Sequence, residues 1–229
     1  VEKIGSSAFE ECSKLASVYL PVNEKFTFIN SYMFDSCTSL KKIEIPDNVT
    51  DIDGSAFEEC TELSSVTLSK NLKTIGMQTF RGDNKLTKIE IPKSLEESYW
   101  SYGGPTGISG GAFQDCANLK TITFEKGTTE IAEGLFAGCT GIEQIKIPNT
   151  VTVIESGAFG GCINLKEIDV PNSVTEIQRS AFEYCSSLRT AKLLENLKSI
   201  GMCSFKNCTS LTEVHLSDIL KEIQASTFS

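Results

Sequence analysis

The sequence lacks several features that mark common classes of protein. No apolar run approaches the roughly 20 residues that a membrane-spanning helix needs, so we expect no membrane insertion by this segment. Lysine and arginine number 21 against 30 aspartates and glutamates, which gives a net charge of -9 and a pI of about 4.8. Such an acidic balance argues against nucleic acid and anionic membranes as partners, because both bind to positively charged protein surfaces.

Groups that carry chemistry are also scarce. His215 is the single histidine, and spacing ties no serine or cysteine to it. The Gly103-Gly104 pair lacks the lysine and the pattern of a phosphate-binding loop. The nine cysteines form no C-x-x-C pair, and one histidine cannot complete a usual zinc ligand set. We therefore expect no catalysis, no metal and no cofactor in this segment.

What the sequence does contain is a repeat of 23 residues. Ten of the 13 phenylalanines are separated by 25, 23, 23 and 33 residues and then five times by 23. They are Phe9, Phe34, Phe57, Phe80, Phe113, Phe136, Phe159, Phe182, Phe205 and Phe228. A cysteine follows three residues after most of them, at Cys12, Cys37, Cys60, Cys116, Cys139, Cys162, Cys185 and Cys208. One unit reads C-x-x-L-x-x-I-x-I-P-x-x-V-T-x-I-x-x-x-A-F-x-x.

Each unit predicts one coil of a solenoid. The I-x-I segment alternates with period two, which is typical of a strand with one buried face, and proline ends it. The A-F-x-x-C segment has apolar residues three apart and suits a short helical or 3₁₀ turn. A single coil cannot bury its apolar residues, but stacked coils bury all of them and pair their strands in parallel. The expected core includes Phe57, Phe136, Phe159, Phe182, Phe205, Cys60, Cys139, Cys162, Cys185 and Cys208.

These columns resemble the BspA-like leucine-rich repeats of bacterial and protist surface proteins. The resemblance runs from Val1 to Phe228, and ten registers agree on five or more columns. It implies a right-handed leucine-rich repeat solenoid with short parallel strands on its concave side. It also implies a cell-surface or secreted location and host or microbial surface proteins as partners. We expect one solenoid over residues 1–229, cut from a longer array because both ends fall inside a repeat without a polar cap.

The cysteine column favours free thiols over disulfides. Cysteines at the same place in successive coils point in parallel, which fits the disulfide torsion badly, whereas a buried thiol packs as a small hydrophobe. Cys203 stands outside the column, and we expect it to be the first thiol to react.

The main break in the repeat is an inserted loop at residues 98–107. It contains Tyr99, Trp100 and Tyr102, where Trp100 is the only tryptophan. Exposed aromatic residues anchor protein interfaces and stack on sugars, so these three are candidate ligand-binding residues. The alternative is that they fold back and cover the solenoid.

A second candidate surface is the outward column of the strands. Its members considered for ligand binding are Tyr19, Glu44, Lys146, Asp169, Lys192 and His215. The charges of Lys146, Asp169 and Lys192 alternate, which favours stacking of neighbouring strands. This face is therefore either a protein-binding surface or a solvated sheet that pairs with itself.

The tripeptide Arg81-Gly82-Asp83 matches an integrin-type adhesion motif. Asp83, however, occupies the cysteine column, so we expect it to point inward or to cap the turn. A recognition motif has to protrude, and this one lies in a coil without added residues.

Three functions therefore remain open for the segment. It is a protein-binding or adhesion module, a carbohydrate-binding module that uses the aromatic insertion, or a spacer that projects another domain. Fold alone does not choose among them.

Overall fold

The structure is a computed structural model that describes residues 1–102, 108–193, 195–216 and 218–229, with residues 102, 108 and 109 described by their backbone alone. Within these ranges the regular elements are short strands. In chain order they are β1 Phe28–Ile29, β2 Lys42–Glu44, β3 Asp51–Ile52, β4 Ser65–Thr67, β5 Thr74–Ile75, β6 Lys88–Ile91, β7 Glu97–Ser98, β8 Ser101–Tyr102, β9 Ile108–Ser109, β10 Thr121–Phe124, β11 Glu130–Ile131, β12 Gln144–Lys146, β13 Val153–Ile154, β14 Glu167–Val170, β15 Glu176–Ile177, β16 Thr190–Leu193, β17 Ser199–Ile200 and β18 Glu213–His215.

The I-x-I segments form the first side of each coil. They are β2, β4, β6, β10, β12, β14, β16 and β18, and we call them the long strands. They pair in parallel in three groups, β2-β4, β6-β10 and β12-β14-β16-β18. Their register follows the repeat, so that Ile145, Ile168, Ala191 and Val214 lie side by side. Side chains alternate between buried and exposed along β14, as the period of two predicts.

The apolar pair before each phenylalanine forms the second side. Its two-residue strands make two parallel ladders, β1-β3-β5-β7 and β11-β13-β15-β17. Each strand places one aliphatic side chain in the core, such as Ile52, Ile75 and Ile154, all at most 1% exposed. In β7 this buried position is occupied by Ser98, which lies opposite Ile75 of β5. The buried hydroxyl of Ser98 has no hydrogen-bond partner.

The third side is a tight turn around each phenylalanine, with no helix in the residues described. Bonds of the 3₁₀ type are present, for example from the N–H of Glu58 to the C=O of Ser55. In all complete coils but that of Phe113, the residue two before the phenylalanine is left-handed, and so is the residue two after it, as in Ser55 (φ 55°) and Glu59 (φ 53°). These conformations prevent a continuous helix. The N–H groups of Ser55, Phe57 and Glu59 are thereby free to donate to carbonyls of the next coil.

The core is a stack of rings and thiols. Successive phenylalanine rings lie 5.1 to 5.6 Å apart between centroids and nearly parallel, because the ladders fix the rise of each coil at about 4.8 Å. Each of six column thiols donates a hydrogen bond to the carbonyl of the phenylalanine in the preceding coil, as Cys60 does to Phe34 at 3.2 Å. All nine cysteines are free. Burial raises the pKa of the Cys139 and Cys208 thiols to about 12.

The inserted segment forms an antiparallel hairpin of β8 and β9. The hairpin stands where the second side of the solenoid is divided, between β7 and β11. No helix in the described ranges is long and apolar enough to cross a membrane.

Candidate binding surfaces

The outward column of the long strands lies on one exposed face, which we call the strand face. Lys146, Asp169, Lys192 and His215 are directly opposite one another on consecutive strands. Tyr19 is 88% exposed and lines one depression together with Glu44 at the other end of this face. The structure therefore brings the six predicted residues onto one surface, in two groups separated by the strands between them.

The strand face contains a depression of about 780 Å³ where β12 and β14 end. Its walls include Lys146 and Asp169, with Pro171 and Asn172 at the end of the second strand. A cationic and an anionic side chain beside a proline make this a surface of mixed charge. Such a surface suits a protein partner that offers both charge signs.

A second set of charges stabilises the edge of the strand face. Glu143 accepts hydrogen bonds from Lys166 at 2.6 Å and from Lys120 at 3.1 Å, which joins three coils. The bonds to Lys166 and Lys120 lower the pKa of Glu143 to about 2. All three side chains are exposed, so this triad favours the observed register with little gain in stability.

The inserted hairpin is fastened to the solenoid by Trp100. The indole N–H donates to Glu133 at 2.9 Å, and the ring lies on the backbone of Gly134 and Gly157. A Cβ atom added to Gly134 would lie 2.3 Å from the Cβ of Trp100, and one added to Gly157 would lie 2.8 Å from its ring. Serine holds the same left-handed position in other coils, for example Ser55. The contact with Trp100 is therefore what requires glycine here.

Trp100 is thus a structural contact, half-buried against the solenoid, while its neighbour Tyr99 faces solvent. Tyr99 is 50% exposed, and its hydroxyl donates to Glu97 at 3.2 Å. This bond raises the pKa of Tyr99, with smaller contributions from burial and from Asp51 and Asp53. The side chain of Tyr102 lies outside the described part of the structure. Within the insertion, Tyr99 is the described aromatic residue that a ligand can reach.

The Arg81-Gly82-Asp83 tripeptide is folded into the solenoid. Arg81 pairs with Glu58 at 2.5 Å and with Asp115 at 3.3 Å. The Glu59 carboxylate covers Gly82, since a Cβ there would lie 2.6 Å from its oxygen. Asp83 points inward and is 0% exposed, as its column predicts. The motif is not presented to a receptor.

Potential metal-ligating groups are not clustered in the part of the chain that the structure describes. His215 is exposed, and its Nε2 lies 2.7 Å from the Glu213 carboxylate on the same strand. The described ranges contain no group of three or more histidine, cysteine or acidic side chains that could hold a metal ion.

Parallel ladders repeated every 23 residues, with stacked phenylalanines inside, define a β-solenoid of the leucine-rich repeat class. The chain belongs to the BspA-type leucine-rich repeat family. The pattern of the BspA type leucine rich repeat region matches residues 1–101 and 106–229, in six copies. No curated protein matches the chain.

The chain is similar to several solved structures of bacterial proteins. A leucine-rich repeat protein of Bacteroides ovatus is 22% identical with a TM-score of 0.58, covering 95% of this chain and 77% of its own. The leucine-rich repeat protein of T. pallidum is 24% identical with a TM-score of 0.50, covering 85% and 73%. The pneumococcal vaccine antigen PcpA is 22% identical with a TM-score of 0.44, covering 90% and 64%. At these identities the likeness to the first two structures shows the fold alone.

Proposed function

We propose that this chain is a non-catalytic, protein-binding segment of a cell-surface or secreted protein, and that the strand face makes the contact. The observation that supports this most is the in-register exposed column of Lys146, Asp169, Lys192 and His215 beside the depression at Pro171. A rigid face with both charge signs offers electrostatic complementarity to a protein partner. The location and the partner class, a host or microbial surface protein, are proposed from membership of the family.

The experiment compares binding of the purified chain and three variants to an array of host matrix proteins and glycans. The strand-face variant replaces Lys146 and Lys192 by glutamate. Its matched control replaces Lys73 and Lys198 by glutamate, because both are exposed lysines of the second side and the net charge changes equally. Loss of saturable binding in the strand-face variant but not in the control supports the proposal.

Tyr99→Ala tests the second candidate function, carbohydrate binding by the insertion. The observation that favours it is the half-exposed Tyr99 ring, whose hydroxyl is oriented by a hydrogen bond to Glu97 and whose exposed surface suits stacking on a sugar. Binding to a glycan that is lost only in this variant would move the site to the hairpin. Absence of binding to every protein and glycan would contradict both candidates and favour a spacer.

A further inference from the structure

The charges of this acidic chain are unevenly distributed. The residues five, seven and eight positions after each repeat phenylalanine lie along the edge of the strand face. In the five coils from Phe9 to Phe113, these positions contain six lysines and a single acid, Glu62. The six are Lys14, Lys41, Lys42, Lys85, Lys88 and Lys120, all exposed, and we call them the lysine strip. A chain with a net charge of -9 thus carries a row of lysines along about half of its length.

The strip has a depression at its centre. A cavity of about 520 Å³ is lined by Lys85, Lys88 and Lys120 together with Asn84, Asn118 and Ser64. Three ammonium groups thus share one concave surface with amide and hydroxyl groups that donate hydrogen bonds. This combination suits sulfate or carboxylate groups, whose oxygens accept several hydrogen bonds at once.

Three of the six lysines pair with acidic neighbours. Lys85 pairs with Glu62 at 2.7 Å, Lys120 with Glu143 at 3.1 Å and Lys42 with Glu44 at 3.4 Å. These pairs are solvent-exposed and therefore weak, so a polyanion can compete for the same ammonium groups. Lys88 is exposed and lies opposite Thr121 of the neighbouring strand.

The composition of the strip favours a glycan over an acidic peptide. Ala16 is its one apolar residue, whereas protein interfaces depend on buried aromatic or aliphatic anchors. Lys42 and Lys88 are two coils apart, which is about 10 Å and close to the length of a disaccharide. We propose that the lysine strip binds a linear, anionic glycan, with sulfated or carboxylated sugars against Lys85, Lys88 and Lys120.

The test is binding to immobilised heparin, measured at several salt concentrations. The strip variant replaces Lys85, Lys88 and Lys120 by serine, a residue that the same columns already contain at Ser64 and Ser65. We expect heparin affinity to fall at least about 10-fold and the slope of log affinity against log salt to decrease by about 2 to 3, since each bound lysine releases roughly one counterion.

The control variant replaces Lys73, Lys126 and Lys198 by serine, which removes the same charge from exposed positions outside the strip. Its affinity should stay within about twofold of the unmodified chain, since distant charges act only through a screened field. An equal loss in the control, or no heparin binding by the unmodified chain, would overturn the proposal. Equal binding of poly-glutamate of matched charge would overturn the choice of a glycan.

Ser65→Lys keeps the proposal testable if the strip variant does not fold. It adds a lysine between Lys42 and Lys88, and we expect tighter heparin binding, while unchanged affinity counts against the strip. The result of the heparin experiment is independent of the proposed function. The array experiment changes Lys146 and Lys192 on the strand face, whereas the heparin experiment changes residues of the lysine strip.

Discussion

Replacing Asp83 by cysteine should stabilise the protein. Asp83 is 0% exposed at a place where other coils have a thiol, and neither of its carboxyl oxygens has a hydrogen-bond partner. Burial, and to a lesser extent the nearby Glu59 and Glu58, raise its pKa well above the usual range, while the backbone at Cys60 acts in the opposite direction. By analogy with Cys60, a thiol at position 83 would donate to the carbonyl of Phe57.

The expected magnitude has a constant part and a pH-dependent part. A buried polar group without a partner costs about 1–3 kcal/mol, and this part is relieved at every pH. The native state holds the Asp83 proton above pH 3.8, the ordinary value, whereas the unfolded chain releases it. Stability associated with Asp83 is therefore complete below pH 3.8 and is lost as pH rises towards the raised pKa, at up to about 1.4 kcal/mol per pH unit.

The measurement is urea unfolding followed by circular dichroism between pH 4 and pH 8. Asp83→Cys should be more stable than the unmodified chain by at least about 1–3 kcal/mol at pH 7, and the gap should widen as pH rises. Asp83→Asn is the control, because it keeps the shape without titrating and its gap to the cysteine variant should not change with pH. A gap to the unmodified chain that stays constant with pH would show that Asp83 ionises freely and would refute this reasoning.

Three further outcomes are expected. Gly134→Ala should displace Trp100, because the added methyl group overlaps the ring. We expect the fluorescence emission of Trp100 to shift to longer wavelength and the protein to lose about 1–3 kcal/mol of stability in thermal unfolding. An unchanged emission spectrum would contradict the contact. A thiol reagent should label Cys12 and Cys203 in the native protein and the buried thiols only after unfolding, as counted by mass spectrometry. The Glu143 carboxyl should titrate near pH 2 by NMR, so its ion pairs should persist until the pH falls to about 2. Their contribution to stability should be complete above the ordinary pKa of 4.5 and be lost as the pH falls towards 2. Substitution of the two paired lysines should return the midpoint to the ordinary value.

Periodicity predicted most of the fold because each column of the repeat has one environment. The alternation in segments such as Ile168-Asp169-Val170 predicts which side chains of the long strands are buried, and the structure confirms this pattern. The inward position of Asp83 follows from its column in the same way. A column is read from the chain itself, so its prediction needs no knowledge of distant contacts.

The insertion could not be predicted in this way. Trp100 lies on Gly134 and Gly157, which are 34 and 57 residues further along the chain, and no periodic rule relates them. The one available signal of this contact was the presence of glycine at positions 134 and 157. Ser55 and Ser180 occupy the same left-handed position in other coils, so the backbone alone does not require glycine there. The lysine strip was missed for another reason. Its lysines are spread over three columns of the repeat, and they form one group only because the fold places these three columns along the same edge of the strand face.

The Trp100 contact gives the solenoid an unequal resistance to mechanical load. Force applied to the last coil would peel the ladders one at a time, as each coil is held mainly by its immediate neighbour. Trp100 precedes Phe113 in the chain, but its side chain packs against Gly134 and Gly157 in the two coils that follow the coil of Phe113. It therefore connects coils that are not immediate neighbours in the sequence. Peeling from the carboxyl end should therefore advance easily as far as Gly157 and then meet a higher rupture force.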